Sequence, residues 1–239
     1  MSQKTFRDLG IPFPLFDAPV SEAAEYMGIG RCSLCQKDGV HCFELEDDEI
    51  IVPCPHCGSE VAPNEDYPIR RACHNCGNRV DIVELDEEAP LACYGCLRAG
   101  RVALTKGTEF GMIRHEDAMR GITHGRPSIN RSDFDLVPGS NGWVGVKLPR
   151  ATMLELLRMP TYLTFQCDNW LFCCKEPMIY VGPWSREKFS EIAANGDGRE
   201  FFHQVVRDTV DGLWDGFNAG VYVFRCSTCG KHSAHWDRD

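Results

Sequence analysis

The chain has 239 residues, 43% of them hydrophobic, and a formal net charge of −10 at pH 7. That length suits one medium domain or two small ones, and no run of about 18 apolar residues is present to cross a bilayer. Residues 1–100 carry eight Lys/Arg against eighteen Asp/Glu, while 101–239 balance at seventeen of each, so the first half is a poor match for phosphate-rich nucleic acid.

Residues 1–31 read as a lead-in, with prolines at 12, 14 and 19 and a short helix expected over SEAAEYMG from an N-cap at Ser21. MSQKTFRDLGIPFPLF has no basic start and long apolar core, so no secretory signal is expected and the chain is expected to be cytoplasmic. Residues 32–100 are rich in cysteine and turns, with HCFELE, EIIVPC and RVDIVEL as short strands. Hairpins ending in metal knuckles need little apolar core, because the metal supplies stability.

From 101 to 239 the composition is that of a small α+β domain. Helical spacing runs through FGMIRHEDAMRGI (110–122), and RATMLELLRMP (150–160) is the clearest helix, stopped by Pro160. NWLFCC and PMIYVG read as buried strands. Ser185 is the expected N-cap of SREKFSEIAANG, REFFHQVVRDTV suggests a further helix, and GVYVFRC a strand running into a last knuckle. The expected fold is α+β: a Cys-rich zinc-ribbon N-terminal half packed on a small α+β domain with a further zinc knuckle.

Fourteen cysteines in a chain not expected to be exported point to metal rather than disulfides. Four Cys-x-x-Cys turns precede residue 100: Cys32/Cys35, Cys54/Cys57, Cys73/Cys76 and Cys93/Cys96. Each supplies two soft ligands, so four turns make two closed tetrahedral sites. The pairing can be nested, serial or cross-braced; glycines after Cys57 and Cys76, which let a knuckle turn with positive φ, favour nesting. A third site is expected from Cys226 and Cys229 with the doublet Cys173 and Cys174. Adjacent residues on a strand point to opposite faces, so the doublet needs a kink to reach one ion, and His232 or His235 is the substitute ligand. Cys42 and Cys167 are expected to be inert buried thiols, and His41, His56 and His74 bystanders.

The tracts EFGMIRHEDAMRGITHGRPSI, FDLVP, ELLRMPTYLTFQCDNWLFCCKEPMIYVGPW and YVFRCSTCGKHSAHWD, with the knuckles RCSLC and LACYGCLRAG, resemble the CbrC family. These are bacterial proteins named after a colicin-tolerance protein, and the likeness covers roughly residues 30–239. It implies that Cys32/Cys35 share a metal with Cys93/Cys96 around an inserted ribbon at about 53–80. Arg238 stands where some relatives carry a cysteine. The resemblance implies no enzymatic activity, and its label hints at defence against protein toxins.

All-cysteine sites are closed and make poor Lewis acids, so no catalysis is expected. His115, Glu116, Asp117 and His124 lack a neighbouring nucleophile, and Cys173/Cys174 is not the Cys-x-x-Cys of thiol oxidoreductases. Aromatic residues crowd the C-terminal half: Trp143, Trp170, Trp184, Trp214, Trp236, Tyr162, Phe165 and Tyr180. Core packing is expected of most, with a partner-binding rim as the other use. The expected function is a non-catalytic, zinc-stabilised protein that binds another protein, in its sharpest form a basic bacterial toxin. Its contact candidates are the acidic runs Glu44, Glu46, Asp47, Asp48, Glu49 and Asp86, Glu87, Glu88. A ribbon binding nucleic acid through Arg70, Arg71 and Arg79 is the alternative, and an enzyme or redox protein the second.

Overall fold

The computed structural model describes residues 4–45, 52–54, 57, 60–61, 70–72, 79–81, 91–123, 134–139, 142, 144–207, 212–216 and 219–238. Strands dominate a mixed architecture that divides into two compact units, 23–161 and 1–22 with 162–239. These units do not follow the boundaries drawn from composition: the lead-in is split, and 101–161 groups with the Cys-rich segment.

In residues 23–161, β1 (Tyr26–Gly30), β2 (Val40–Glu44) and β7 (Leu91–Cys93) form an antiparallel sheet in the order β1-β2-β7. The expected helix over SEAAEYMG is replaced by a 3-10 turn at Val20–Glu22 and then by β1. Pairing of Gly28, Ile29 and Gly30 with Cys42, His41 and Val40 wins over local helical spacing, and Gly28 weakens the end of the helix in any case. Between β2 and β7 lie two hairpins, β3 (Val52–Pro53) with β4 (Glu60–Val61) and β5 (Arg70–Ala72) with β6 (Arg79–Asp81). Glu44 pairs with Leu91, so this whole excursion leaves and rejoins the sheet at neighbouring points.

After β7 come α1 (Tyr94–Arg98), the hairpin β8 (Lys106–Thr108) and β9 (Gly111–Ile113), and α2 (His115–Arg120). Ile113 is therefore a strand residue, and the helix expected from 110 begins only at His115. The hairpin β10 (Asp135–Pro138) and β11 (Val144–Lys147) precedes α3 (Arg150–Leu156). Lys106 is completely buried; its ammonium reaches the Thr161 hydroxyl and lies 3.9 Å from Glu25, whose carboxylate accepts the Thr161 N–H at 2.8 Å. A buried cation needs such partners to avoid a large desolvation cost.

The other unit carries β12 (Phe172–Cys173) and β13 (Glu176–Pro177), a two-strand hairpin. Its main sheet is antiparallel, ordered β14 (Ile179–Pro183), β15 (Gly220–Arg225), β16 (His232–Asp237). Between β14 and β15 run α4 (Arg186–Ile192), α5 (Gly198–Val205) and α6 (Leu213–Gly216). Ser185 does cap α4, accepting the Lys188 N–H. The two-residue period of β15 sorts the core: Val221 and Val223 pack with Trp184, Phe189 and Phe202, while Tyr222 and Phe224 face the opposite way. There Phe224 meets Tyr162, Trp170 and Tyr180 in an aromatic cluster, and Phe16 joins through Tyr180.

Most aromatics thus serve the core. Phe165 is the exception at 56% exposed, Trp214 and Trp236 are half-buried, and Trp143 lies outside the described residues.

Candidate metal centres

The first centre is built on the β1-β2-β7 sheet. Cys32 and Cys35 lie in the link between β1 and β2, Cys93 ends β7, and Cys96 is in the first turn of α1. The Cys32 N–H donates to the Lys37 carbonyl at 3.0 Å and the Gln36 N–H to the Cys32 carbonyl at 2.8 Å. Closing that knuckle places Gln36 at φ 60, a conformation normally left to glycine. The second arm is tied in by the Ser33 N–H donating to the Leu91 carbonyl at 2.8 Å and the Cys93 N–H pointing at the Cys32 sulfur at 3.2 Å. All four Sγ atoms lie within 4.8 Å of one another. Cys32 and Cys96 stand 3.8 Å apart, Cys35 and Cys93 3.7 Å.

The second centre repeats the first knuckle's geometry in the other unit. Cys226 follows β15 and Cys229 lies in the turn before β16. The Cys226 N–H donates to the Lys231 carbonyl at 2.9 Å and the Gly230 N–H to the Cys226 carbonyl at 3.1 Å, with Gly230 at φ 71. Its partners are Cys173 and Cys174, on the β12–β13 hairpin. There the two central turn residues, Cys174 and Lys175, both have positive φ, 53 and 63, as a type I′ turn requires. This supplies the kink that lets adjacent cysteines reach one point, at a cost of about 1–2 kcal/mol per non-glycine residue. Cys173 is 3.8 Å from Cys174 and 3.7 Å from Cys229 across their sulfurs, and the four sulfurs again lie within 4.8 Å. Neither histidine substitutes: His235 Nε2 meets the Tyr162 hydroxyl at 2.6 Å, and His232 packs on Trp184.

These spacings test the fit of a metal. Four sulfurs each about 2.3 Å from a central ion form a tetrahedron with edges of about 3.8 Å, and the measured separations match it. Electrostatics asks for the same cation. At Cys35 burial pushes the thiol up, but the Lys37 backbone N–H and the neighbouring thiols bring it down to about 7. Burial pushes Cys93 and Cys96 upward. At Cys229 the Lys231 N–H, aided by Cys226 and Cys173, lowers the thiol to about 7, whereas burial raises Cys173 and the Cys229 neighbour raises Cys174. In each tetrad one thiol ionises readily while two others are held up; a divalent ion at the centre favours the thiolate form by offsetting the repulsion between ionised sulfurs.

The centres differ in exposure. Cys32, Cys93 and Cys96 are buried and Cys35 is half-buried, whereas Cys174 and Cys229 are exposed, Cys173 is half-buried and only Cys226 is buried. Cys42, expected to be a buried thiol, is buried and packs against the first tetrad from β2, and burial followed by the nearby thiols raises it to about 11. No spacing signal marks it. Cys167, expected to be buried, is exposed, because it sits in the loop before β12. His41, expected to be a bystander, lies outside the tetrad, and its Nδ1 meets the Tyr26 hydroxyl at 2.7 Å.

For the inner pairs, Cys54 is buried and Cys57 half-buried in the β3–β4 link. Cys73 and Cys76, between β5 and β6 in sequence, lie outside the described residues, as do His56, His74, His124, Glu46, Asp47, Asp48, Glu49, Asp86, Glu87 and Glu88. Glu44 ends β2.

A mixed, strand-rich protein holding two cysteine tetrads positioned to bind metal is the class these observations define. The profile of the uncharacterised protein family UPF0167 matches residues 54–238, and the chain belongs to that family. The match starts later than the resemblance at about residue 30 implied, leaving Cys32 and Cys35 ahead of it. UPF0167 protein PA1536 of Pseudomonas aeruginosa is 31% identical over 87 residues, 34% of this chain and 48% of the relative. The chain thus spans about half the length of that curated relative. No solved structure matches. Among the described residues, no helix is long and apolar enough to cross a membrane.

Proposed function

We propose that the chain is a non-catalytic, zinc-stabilised cytoplasmic protein that acts by binding another protein. The observation that carries this reading is the pair of all-cysteine tetrads with tetrahedral sulfur spacing. Four thiolates favour zinc over harder divalent ions and leave no position for a water to be activated. The inner pairs Cys54/Cys57 and Cys73/Cys76 form a third, ribbon-type site nested within the first in sequence; hairpins β3–β4 and β5–β6 support it. The partner is basic, and the acidic runs at 44–49 and 86–88 meet it, since complementary charge speeds encounter and adds specificity. The resemblance to the CbrC family makes neutralisation of a bacterial toxin the sharpest form of this reading.

The test is a pull-down from the native host at low salt with metal content measured on the same sample. A stoichiometric basic protein, lost when Glu46, Asp47, Asp48 and Glu49 are changed to Gln and Asn, is the expected result. Capture of nucleic acid in a salt-sensitive manner would replace this reading with a nucleic-acid-binding one.

A further inference from the structure

Two centres with the same four ligands differ in what covers them. Three of the four sulfurs of the first belong to buried residues, whereas Cys174 and Cys229 of the second are exposed. A solvent oxidant therefore meets the second set first. Of the two described sets, the second alone has ligands on a turn with positive φ at two successive side-chain-bearing residues, Cys174 and Lys175. Metal ligation helps hold that turn, and loss of the metal frees it to relax.

We propose that the Cys173/Cys174/Cys226/Cys229 centre is a reversible thiol-oxidation site for hydrogen peroxide, a modification that the first centre resists; this rests on the zinc reading above. Peroxide oxidises the exposed Cys229 thiolate to a sulfenic acid, releasing one water. The Cys173 sulfur, 3.7 Å away, attacks it, forming the S–S bond and releasing the second oxygen as water. Two electrons pass from the two sulfurs to one peroxide, two protons are consumed, and the zinc ion leaves because only two ligands remain. A competing link between Cys173 and Cys174 is disfavoured, although their sulfurs are 3.8 Å apart: adjacent Cα atoms are about 3.8 Å apart, below the roughly 4.4 Å minimum usual for a disulfide. A thiol reductant with zinc reverses the step.

The experiment uses the full zinc-loaded chain, whose metal content is measured first. Stoichiometric hydrogen peroxide is added, zinc release is followed with a chromogenic chelator, and each cysteine is scored by differential alkylation and peptide mass spectrometry. The expected result is a Cys173–Cys229 link forming with release of one zinc, at least roughly tenfold faster than oxidation of Cys32, Cys35, Cys93 or Cys96. Dithiothreitol with zinc then restores both. Equal rates at the two centres, earlier oxidation of the first, or sulfinic acid without the link would overturn the proposal. A Cys174→His variant keeps four ligands and should still form the link; if it loads zinc and does not, the assignment of Cys173 as the resolving thiol fails. A chain that carries no zinc at the outset instead defeats the metal reading.

Discussion

Gly230 and Gln36 occupy the same place in two knuckles, four residues after the first cysteine, at φ 71 and φ 60. Gln36 bears the strain with its side chain engaged: its amide donates to the Ser33 carbonyl at 2.7 Å and accepts from Arg31. At Gly230 nothing lies within 4 Å of an added Cβ, so Gly230→Ala isolates the backbone penalty. We expect about 1 kcal/mol of it, read as a roughly fivefold weaker zinc affinity of the second centre in a chelator competition. His235 gives a second test at this scale. Burial, followed by repulsion from Arg207, lowers its imidazole to about 4 from 6.5. The Tyr162 hydroxyl accepts the Asn169 N–H at 2.7 Å and meets Nε2 at 2.6 Å. The unfolded chain therefore binds the extra proton between pH 6.5 and 4, and the folded state does not. Stability is full above about 6.5 and falls by about 2 kcal/mol on reaching pH 5. His235→Gln should flatten that slope in urea titrations at pH 7 and pH 5, whereas an unchanged slope would place the acid sensitivity elsewhere.

At the scale of elements, the excursion between β2 and β7 starts and ends at the paired strand neighbours Glu44 and Leu91. Insertions that leave and return at one point disturb their host little. Replacing residues 46–89 with a short Gly-rich linker should leave the first centre's zinc bound and remove one equivalent of zinc, measured by mass spectrometry under native conditions. The α4 cap is a smaller test: Ser185→Ala should cost about 1 kcal/mol, because the Lys188 N–H loses its acceptor. This cap was legible in the sequence, as were the β15 strand and the Cys-x-x-Cys turns, because each is written in local chemistry. The helix expected from Ser21 was not formed, since β1 is decided by its partner strand and not by its own spacing. The helix expected from 110 started late for the same reason: Gly111–Ile113 is held in a hairpin with Lys106–Thr108.

At the scale of the whole molecule, among the described residues, each compact unit contains one complete tetrad, residues 23–161 the first and 1–22 with 162–239 the second. Where a metal ties distant segments together, its binding energy is folding energy. Cys93→Ser should thus lower hydrogen-exchange protection across 23–161 by roughly 100-fold while leaving 162–239 near its original level. Equal loss in both would mean that the units fold as one.

By itself the sequence determined the ligand type, the turns that present ligands in pairs and the acidic bias of the first half, because all three are properties of composition and short spacing. It also favoured nesting among three pairings, and only the tertiary structure brought Cys32/Cys35 to Cys93/Cys96, through the registry of β2 with β7. The same holds for Cys173 and Cys174: alternation along a strand argues against a shared ion, and a two-residue turn with positive φ overrules it. Exposure, which separates the two centres chemically, was likewise decided by the fold, since what covers a sulfur is set by segments distant in the chain.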